Sequence, residues 1–501
     1  METTSRILNK DGADSIYPCK DGSVLYTYTG VAIDAYTSLC NRFFDNGYEI
    51  YAQTNKNGNH FTTLTKGPAM AHLSFYSPKN ELTVAASDTA ADTLPPKAPD
   101  VTDGAYTCTV AQIEQTRLNG MSYVVQLKDG SYILYDGGYT EQADRIAAYL
   151  KENYKGEGKP VIRAWLLTHS HNDHYPAFIT FSDTYANDFI VEHIIVSPLD
   201  EIKFGLDAPN DKDPYLGTAF YGDAAKLTGA KIVFAHTGME FSFCNVKMEI
   251  LMTPENIYKS TTETGNFNNS SIVSRVYDTG YSALFLGDIG IEGATLMAEL
   301  YGDYLKSDIC QVAHHGVETV PFSFYDIVKA PILYYPCNIW LYRLPRRNND
   351  VRAALEKTAY TKEILLGTNG QFVRAFGTAF DENAPLFIPM PDDLLVTDKT
   401  TYTVGEPILC TAKRTGNKDW VGIAKLGETC SRRWWYLRPK DGEHYVDAGV
   451  PFNMLDTTRA YCNETDTETL EAGTYLIVLG SNGSAYNNEF SRIATVEITI
   501  K

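Results

Sequence analysis

The 501-residue chain lacks any apolar run of eighteen residues, so no helical membrane span is expected. Its first residues, Met1-Glu2-Thr3-Thr4-Ser5, have no basic head leading into an apolar stretch, so no secretory leader is expected in this chain. A leader removed and replaced by an initiator Met would leave the same start. Positive charge is scarce: 43 Lys and Arg stand against 62 Asp and Glu, a net charge of −19. No basic run exceeds Arg346-Arg347 or Arg432-Arg433. Phosphate-backbone contacts need clustered cations, so nucleic acid is not expected as a general partner. No C-x-x-C pair occurs among the nine cysteines. Their odd number leaves at least one without a partner in the chain, and the redox compartment stays open. Cys310, Cys337 and Cys410 lie in apolar, strand-like runs and read as small core residues. There is no Gly-x-Ser-x-Gly elbow, no Gly-rich Lys loop and no dinucleotide Gly pattern, so several common routes to catalysis are absent.

What is present is Thr168-His169-Ser170-His171-Asn172-Asp173-His174, behind the hydrophobic strand Val161 to Leu167. The chain has only ten His, and three of them fall in this run. His169 and His171 lie two apart, so an extended backbone aims both imidazoles the same way. Asp173 and His174 follow, where a turn aims them at a second nearby point. Neutral imidazoles with a carboxylate suit zinc or a similar first-row metal, and two adjacent donor sets suggest two ions.

This run resembles the signature of the metallo-β-lactamase-fold hydrolases, and three further segments extend the resemblance in the family's order. Ser122 to Leu127, Asp129-Gly130 and Tyr132 to Gly138 read as a hairpin ending in Asp136-Gly137-Gly138, and the resemblance makes Asp136 a buttress of the metal loop. Ala283 to Asp288 is an apolar strand ending in Gly-Asp; the resemblance makes Asp288 the carboxylate shared by both metals. Ile309 to Gly316 ends in His-His-Gly; the resemblance assigns His314 to the second metal and leaves His315 as a supporting or substrate-facing residue. The implied metal ligands are His169, His171, Asp173, His174, Asp288 and His314, with Asp173 and Asp288 the catalytic carboxylates. Asn268-Asn269-Ser270-Ser271-Ile272-Val273 with the two later strands is similar to the hydrolase domain of DNA-uptake competence proteins and to phosphorylcholine esterases. One departure stands out: many family members carry a further His about 25 residues before the shared Asp, and Glu263 to Asn269 has none. His193 and His236 are the other histidines between His174 and Asp288; His236, at a strand end, is the candidate extra ligand, and His193 reads as a strand residue.

Apolar content of 44% and charged content of 21% are ordinary for a soluble globular protein, and this length predicts two to four domains. Residues 15–87 read as a small α/β module: a strand near 23–28, a helix over 32–46, then alternating runs at 48–52, 60–65, 71–76 and 82–86. His60 and His72 there read as surface or sheet residues. Residues 88–104, rich in Pro, Ala and Asp, read as a linker. The metal domain spans 105–392, with helices expected at 141–152, 291–305 and 351–358; its fold by resemblance is the αββα sandwich. Pro385 to Pro391 marks its end. Residues 394–501 have short alternating runs between turns such as Lys440-Asp441-Gly442, which suggests a β-sandwich. Asp419 to Ile423 and Trp434-Trp435-Tyr436 resemble immunoglobulin-like accessory modules of secreted bacterial proteins. Alternation predicts one Trp inside and the other exposed as a glycan-stacking surface. This tilts the location toward outside the cell or the cell surface, with the cytoplasm left open.

The expected function is a metal-dependent hydrolase with two divalent ions, Zn2+ first and Mn2+ or Fe2+ as alternatives. Such a pair makes hydroxide available near neutral pH, so no Ser or Cys nucleophile is needed. The expected substrate is a phosphodiester or a phosphorylcholine-type ester, small or on a cell-surface polymer. A carboxylic ester, lactone or β-lactam is the alternative substrate class. A non-catalytic metal-binding surface protein is the alternative outside enzymes.

Overall fold

The structure is a computed structural model, and it describes residues 4–8, 12–97, 106–115, 117, 119–198, 218–257, 267–317, 320–337, 341–342, 349–367, 370–378, 380, 394–413, 419–428, 431–437, 444–463, 466, 469–481 and 492–501. The N-terminal region forms a six-stranded antiparallel sheet, in the spatial order Ser15–Pro18, Val24–Thr29, Glu81–Ser87, Ala69–Tyr76, Asn59–Lys66 and Glu49–Lys56. The helix Ile33–Asp45 covers one face of it. Tyr36, Leu39, Cys40 and Phe43 are its buried residues, a helical spacing that makes one apolar stripe. They pack on Leu64, Leu73, Phe75 and Val84 of the sheet. Phe61 and Tyr76 instead join the core of the following domain, and the buried Lys56 lies 3.5 Å from Glu249 and 4.0 Å from Glu240 across the boundary.

The segment expected as a linker is partly folded. Ala90–Thr93 is a single 3-10 turn, Leu94 is buried, and Lys231 donates to the Asp92 carbonyl. Alanines and a leucine among the prolines supply enough apolar surface to hold these residues down. Residues 98–105 lie outside the described ones.

Two facing sheets follow. The main path of the first runs Lys231–Phe234, His193–Val196, Val161–Leu166, Tyr132–Asp136, Ser122–Gln126, Thr109–Gln112 and Phe372–Ala375. The second runs Glu240–Phe243, Val246–Met252, Val273–Asp278, Tyr281–Phe285, Ile309–Gln311, Ile332–Tyr335 and Glu363–Leu366. Val125, Ile133 and Tyr135 from one sheet meet Met248, Ile250 and Phe285 from the other in a shared core. The outer face of the first sheet is covered by helices Gln142–Asn153, Pro176–Tyr185 and Thr218–Lys226. Helices Ile291–Tyr301 and Phe322–Val328 contribute to the core on the outer face of the second. The result is an αββα sandwich, the fold expected. The strands are apolar on both faces because both faces are covered. Pro176–Tyr185 and Phe322–Val328 were not expected as helices; each is short, and each opens at or just after a proline, which suits a first helical turn.

The C-terminal region is β-rich, with a three-stranded and a seven-stranded sheet around one core that includes Trp435, Tyr475 and Ile498. Trp434 and Trp435 are both buried, at 8% and 1% exposure, so the expected exposed Trp is absent. The reason is the short strand Tyr461–Cys462, which pairs outside Arg433–Leu437. Its Tyr461 ring stacks on Trp434 with centroids 5.5 Å apart and is itself exposed. The boundary expected at Pro385 to Pro391 lies outside the described residues. Cys310, Cys337 and Cys410 are buried, and no disulfide occurs among the described residues. Among those residues no helix is long and apolar enough to cross a membrane.

Candidate metal centre

Strand Val161–Leu166 lies between the parallel strands Tyr132–Asp136 and His193–Val196. Its apolar residues are the reason it sits mid-sheet, and its C-terminal end delivers the His-rich loop to the sheet edge. Asp136, at the end of the neighbouring strand, organises that loop. Its carboxylate accepts from the Thr168 N–H and hydroxyl, both at 2.6 Å, and pairs with His174 Nδ1 at 2.7 Å. Its φ of +51° is left-handed. The two glycines after it let the chain turn beneath helix Pro176–Tyr185: a Cβ on Gly137 would come within 2.9 Å of the Ala177 side chain. Both glycine N–H groups donate to the His174 carbonyl.

Asp288 is presented by the other sheet. Beyond strand Tyr281–Phe285 the chain turns at Gly287, whose φ is +56° and where a Cβ would lie 2.7 Å from Ser271. The Gln311 amide accepts from Leu286 N–H and donates to the Gly287 carbonyl, and Ser271 Oγ accepts from Asp288 N–H at 2.9 Å. The turn after Ile309–Gln311 carries two adjacent left-handed histidines, His314 at φ +49° and His315 at +54°. Such backbone costs about 1–3 kcal/mol per residue and is characteristic of functional sites.

These loops meet as two groups. His169, His171 and Asp288 form one, and Asp173, His174 and His315 the other; within each, one donor atom per residue lies within 4.8 Å of the rest. Asp288 Oδ2 is 3.1 Å from His174 Nε2, 3.3 Å from His315 Nε2 and 3.8 Å from His169 Nε2, so it borders both groups. His315 Nε2 is also 3.0 Å from Asp173 Oδ2, while its Nδ1 faces the Pro336 carbonyl. Asn119 donates to the Asp173 carboxylate.

The structure therefore brings His169, His171, Asp173, His174 and Asp288 together, with Asp136 behind them. His315 joins them where His314 was expected. The His314 ring turns away to Asn268 Nδ2, 3.1 Å from its Nε2. The left-handed turn decides which ring of the pair faces inward, and no strand alternation announces that. His236 is not brought to the site. It lies between Asp21, 3.2 Å from its Nε2, and Glu255, 2.9 Å from its Nδ1. His193 sits in its strand, its Nδ1 facing the Arg163 carbonyl. Asn119 and Gln311, which hold the carboxylates in place, were not foreseen; a lone amide side chain carries no positional signal.

Electrostatics mark the site as built for positive charge. Burial opposes ionisation of Asp288, yet His174 and His315 hold its carboxyl well below the usual range. Burial also opposes ionisation of Asp173, and His315 and His174 lower it regardless. Burial lowers the His169 imidazole far below its ordinary value, leaving a neutral ring suited to ligation. Among the side-chain atoms buried here with no hydrogen-bond partner are His169 Nε2 and Asp288 Oδ1. An unpaired buried nitrogen beside an unpaired carboxylate oxygen is costly unless a cation binds both. The residues present thus fit divalent metal.

Residues 116–323 match the model of the metallo-beta-lactamase superfamily. No curated protein matches the chain. Among solved structures, the metallo-beta-lactamase fold protein YhfI from Bacillus subtilis is 12% identical with a TM-score of 0.35, over 54% of this chain and 99% of its own. Zn(2+)-bound PqqB from Methylobacterium extorquens is 13% identical with a TM-score of 0.26, over 40% of this chain and 61% of its own. CmlA, a diiron beta-hydroxylase from Streptomyces venezuelae, is 14% identical with a TM-score of 0.28, over 54% of this chain and 45% of its own. Residues 116–323, which hold both donor groups at the sheet ends, are thus similar to the metallo-beta-lactamase superfamily.

Proposed function

We propose that the chain is a dinuclear metal-dependent hydrolase of a phosphodiester or phosphorylcholine-type ester, related to the competence-protein and phosphorylcholine-esterase branch. The observation that carries the metal reading is the pair of donor groups meeting at Asp288, with His169 Nε2 and Asp288 Oδ1 buried and unpaired. His169 and His171 with Asp288 would hold one ion, and Asp173, His174 and His315 with Asp288 the other. Zn2+ is the first choice and Mn2+ or Fe2+ the alternatives. Ions bound there supply an activated water near neutral pH and offset negative charge on the attacked phosphoryl oxygen. The chain's own part is preorganisation: Asp136 orients His174, the Pro336 carbonyl orients His315, and Asn119 steadies Asp173. Such outer partners typically change metal affinity or activity by 10–100-fold when removed.

In this reading residues 105–392 form the hydrolase domain, 15–87 an attached module and 394–501 an immunoglobulin-like sandwich. The protein works outside the cell or at its surface, on a small ester or a surface polymer and not on nucleic acid. The aromatic surface offered to a glycan is Tyr461 over Trp434, in place of a Trp pair. A chromogenic panel tests the substrate class: bis-p-nitrophenyl phosphate, p-nitrophenyl phosphorylcholine, p-nitrophenyl phosphate, p-nitrophenyl acetate and nitrocefin. Phosphodiester turnover lost in Asp288→Ala supports the proposal. Turnover confined to the acetate or to nitrocefin overturns its substrate class, and metal-loaded protein inert on all five argues for the non-catalytic alternative.

A further inference from the structure

The two donor groups are unequal. Asp173, His174 and His315 have Asp288 Oδ2 at 3.1 and 3.3 Å from the two imidazoles, close enough to act as a fourth donor. Asp288 Oδ2 stands farther from His169, at 3.8 Å, and Asp288 is the third donor of the group with His169 and His171. A catalytic zinc-type site takes three protein donors and leaves one position to water, so the His169, His171 group only meets that minimum, and does so by sharing Asp288. We propose that the side-chain oxygen of Asn268 is a fourth protein donor to that group and that His314 orients it. The inference rests on the metal-binding reading above.

Asn268 is buried and lies within hydrogen-bond reach of His171. Its Nδ2 is 3.1 Å from His314 Nε2. An amide nitrogen only donates, so His314 is the acceptor there and the carbonyl oxygen of Asn268 points away from it. That oxygen is buried, on the side of the amide away from His314. The backbone is locked to the site. Asn268 belongs to the 3-10 turn Phe267–Ser270, and its carbonyl accepts from Ser271 N–H. Asn269 Oδ1 accepts from Gly290 N–H at 2.6 Å and Ser271 Oγ from Asp288 N–H, so the segment and the Asp288 turn move as one unit. His314 is fixed as well: its N–H donates to the Gly287 carbonyl at 3.1 Å, and Val317 N–H closes the turn onto its carbonyl. One strained turn therefore serves both groups, His315 as a donor and His314 as the residue that positions the amide.

A neutral amide oxygen is a weaker donor than a carboxylate or an imidazole for zinc, and oxygen donors suit manganese better. The two ions should therefore bind unequally, the first at the Asp173, His174, His315 group. The test is calorimetric titration of metal-free full-length protein with Zn2+ and, separately, Mn2+, with bound metal counted by elemental analysis. Wild type should take two equivalents, the second more weakly. Asn268→Ala should keep the first and weaken the second by roughly 100-fold or more, beyond the effect of a supporting group. Asn268→Asp, which adds charge at the same place, should tighten the second. His314→Ala should weaken it by roughly 10-fold, as a positioning residue does. Wild type and Asn268→Ala binding two ions with equal affinities overturns this inference and leaves the hydrolase reading standing; so does an Asn268→Asp protein, folded by circular dichroism, whose second ion is no tighter. Wild type that binds no ion at all overturns both.

Discussion

Two histidine–carboxylate clusters stand out among the described residues, and of this pair one alone has hydrogen-bonding capacity left to offer. At His236 both ring nitrogens are taken, by Asp21 and Glu255, and Glu255 also accepts from Thr237 N–H. The trio joins the N-terminal sheet region to the central domain and closes on itself. At the metal centre His169 Nε2 and Asp288 Oδ1 are buried without partners. Residue types are the same in both places. What separates a structural ion cluster from a ligand site is whether hydrogen-bonding capacity remains once the protein has satisfied itself.

That comparison can be broken in order of expected effect. Asp288→Ala removes the carboxylate bordering both donor groups, and phosphodiester turnover should fall by far more than the roughly 100-fold a supporting group costs. Steady-state kinetics with circular dichroism checks it; a folded variant with substantial turnover would show that Asp288 is not shared. Asp136→Asn keeps the shape but weakens the hold on His174, and metal affinity should drop by about 10–100-fold, read by competition with a chromophoric chelator.

His236→Gln should do the opposite. It leaves Asp21 and Glu255 buried without their cation and should cost about 3–5 kcal/mol of stability in denaturant unfolding, while metal content and turnover of the folded protein hold. The stabilisation has a defined pH window. Burial lowers the His236 pKa, but Glu255 and Asp21 outweigh it and raise it from 6.5 to about 10. Its contribution is complete below 6.5 and is lost as pH rises through about 10. Asp21 falls from 3.8 to about 2, burial opposing the shift and His236 driving it, so its share is present above 3.8 and is lost as pH falls through about 2. The stability gap between wild type and His236→Gln should therefore be widest between pH 3.8 and 6.5 and close toward pH 10. A gap that does not vary with pH would sink the ion-cluster assignment. The smallest effect is expected at the C-terminal sheet: Tyr461→Ala should leave turnover of a small ester unchanged and lower binding to a glycan polymer several-fold, read by co-sedimentation.

Much of the central domain was legible because its signals are local. The His-x-His-x-Asp-His run, the Asp-Gly-Gly turn and the Gly-Asp strand end each state a turn and a donor in adjacent residues. The strands around them are apolar enough to read directly. The second helix of the first layer, Pro176–Tyr185, was missed because its ten residues follow the metal loop without a polar cap to announce them. The folded turn at Ala90–Thr93 was missed because prolines beside it outweighed a single anchoring Leu94.

The sequence by itself determined the order of the donors along the chain, which contiguous motifs spell out, and through the family resemblance those motifs carry it implied the αββα fold and a buttressing place for Asp136. Only the tertiary structure decided that His315 faces the metal centre while His314 turns to Asn268, that His236 belongs to an ion trio with Asp21 and Glu255, and that both Trp434 and Trp435 are covered. Each of these depends on a partner far away in the chain or on a left-handed turn. Neither leaves a periodic trace, because a side chain's direction there is set by what packs against it and not by its spacing from its neighbours.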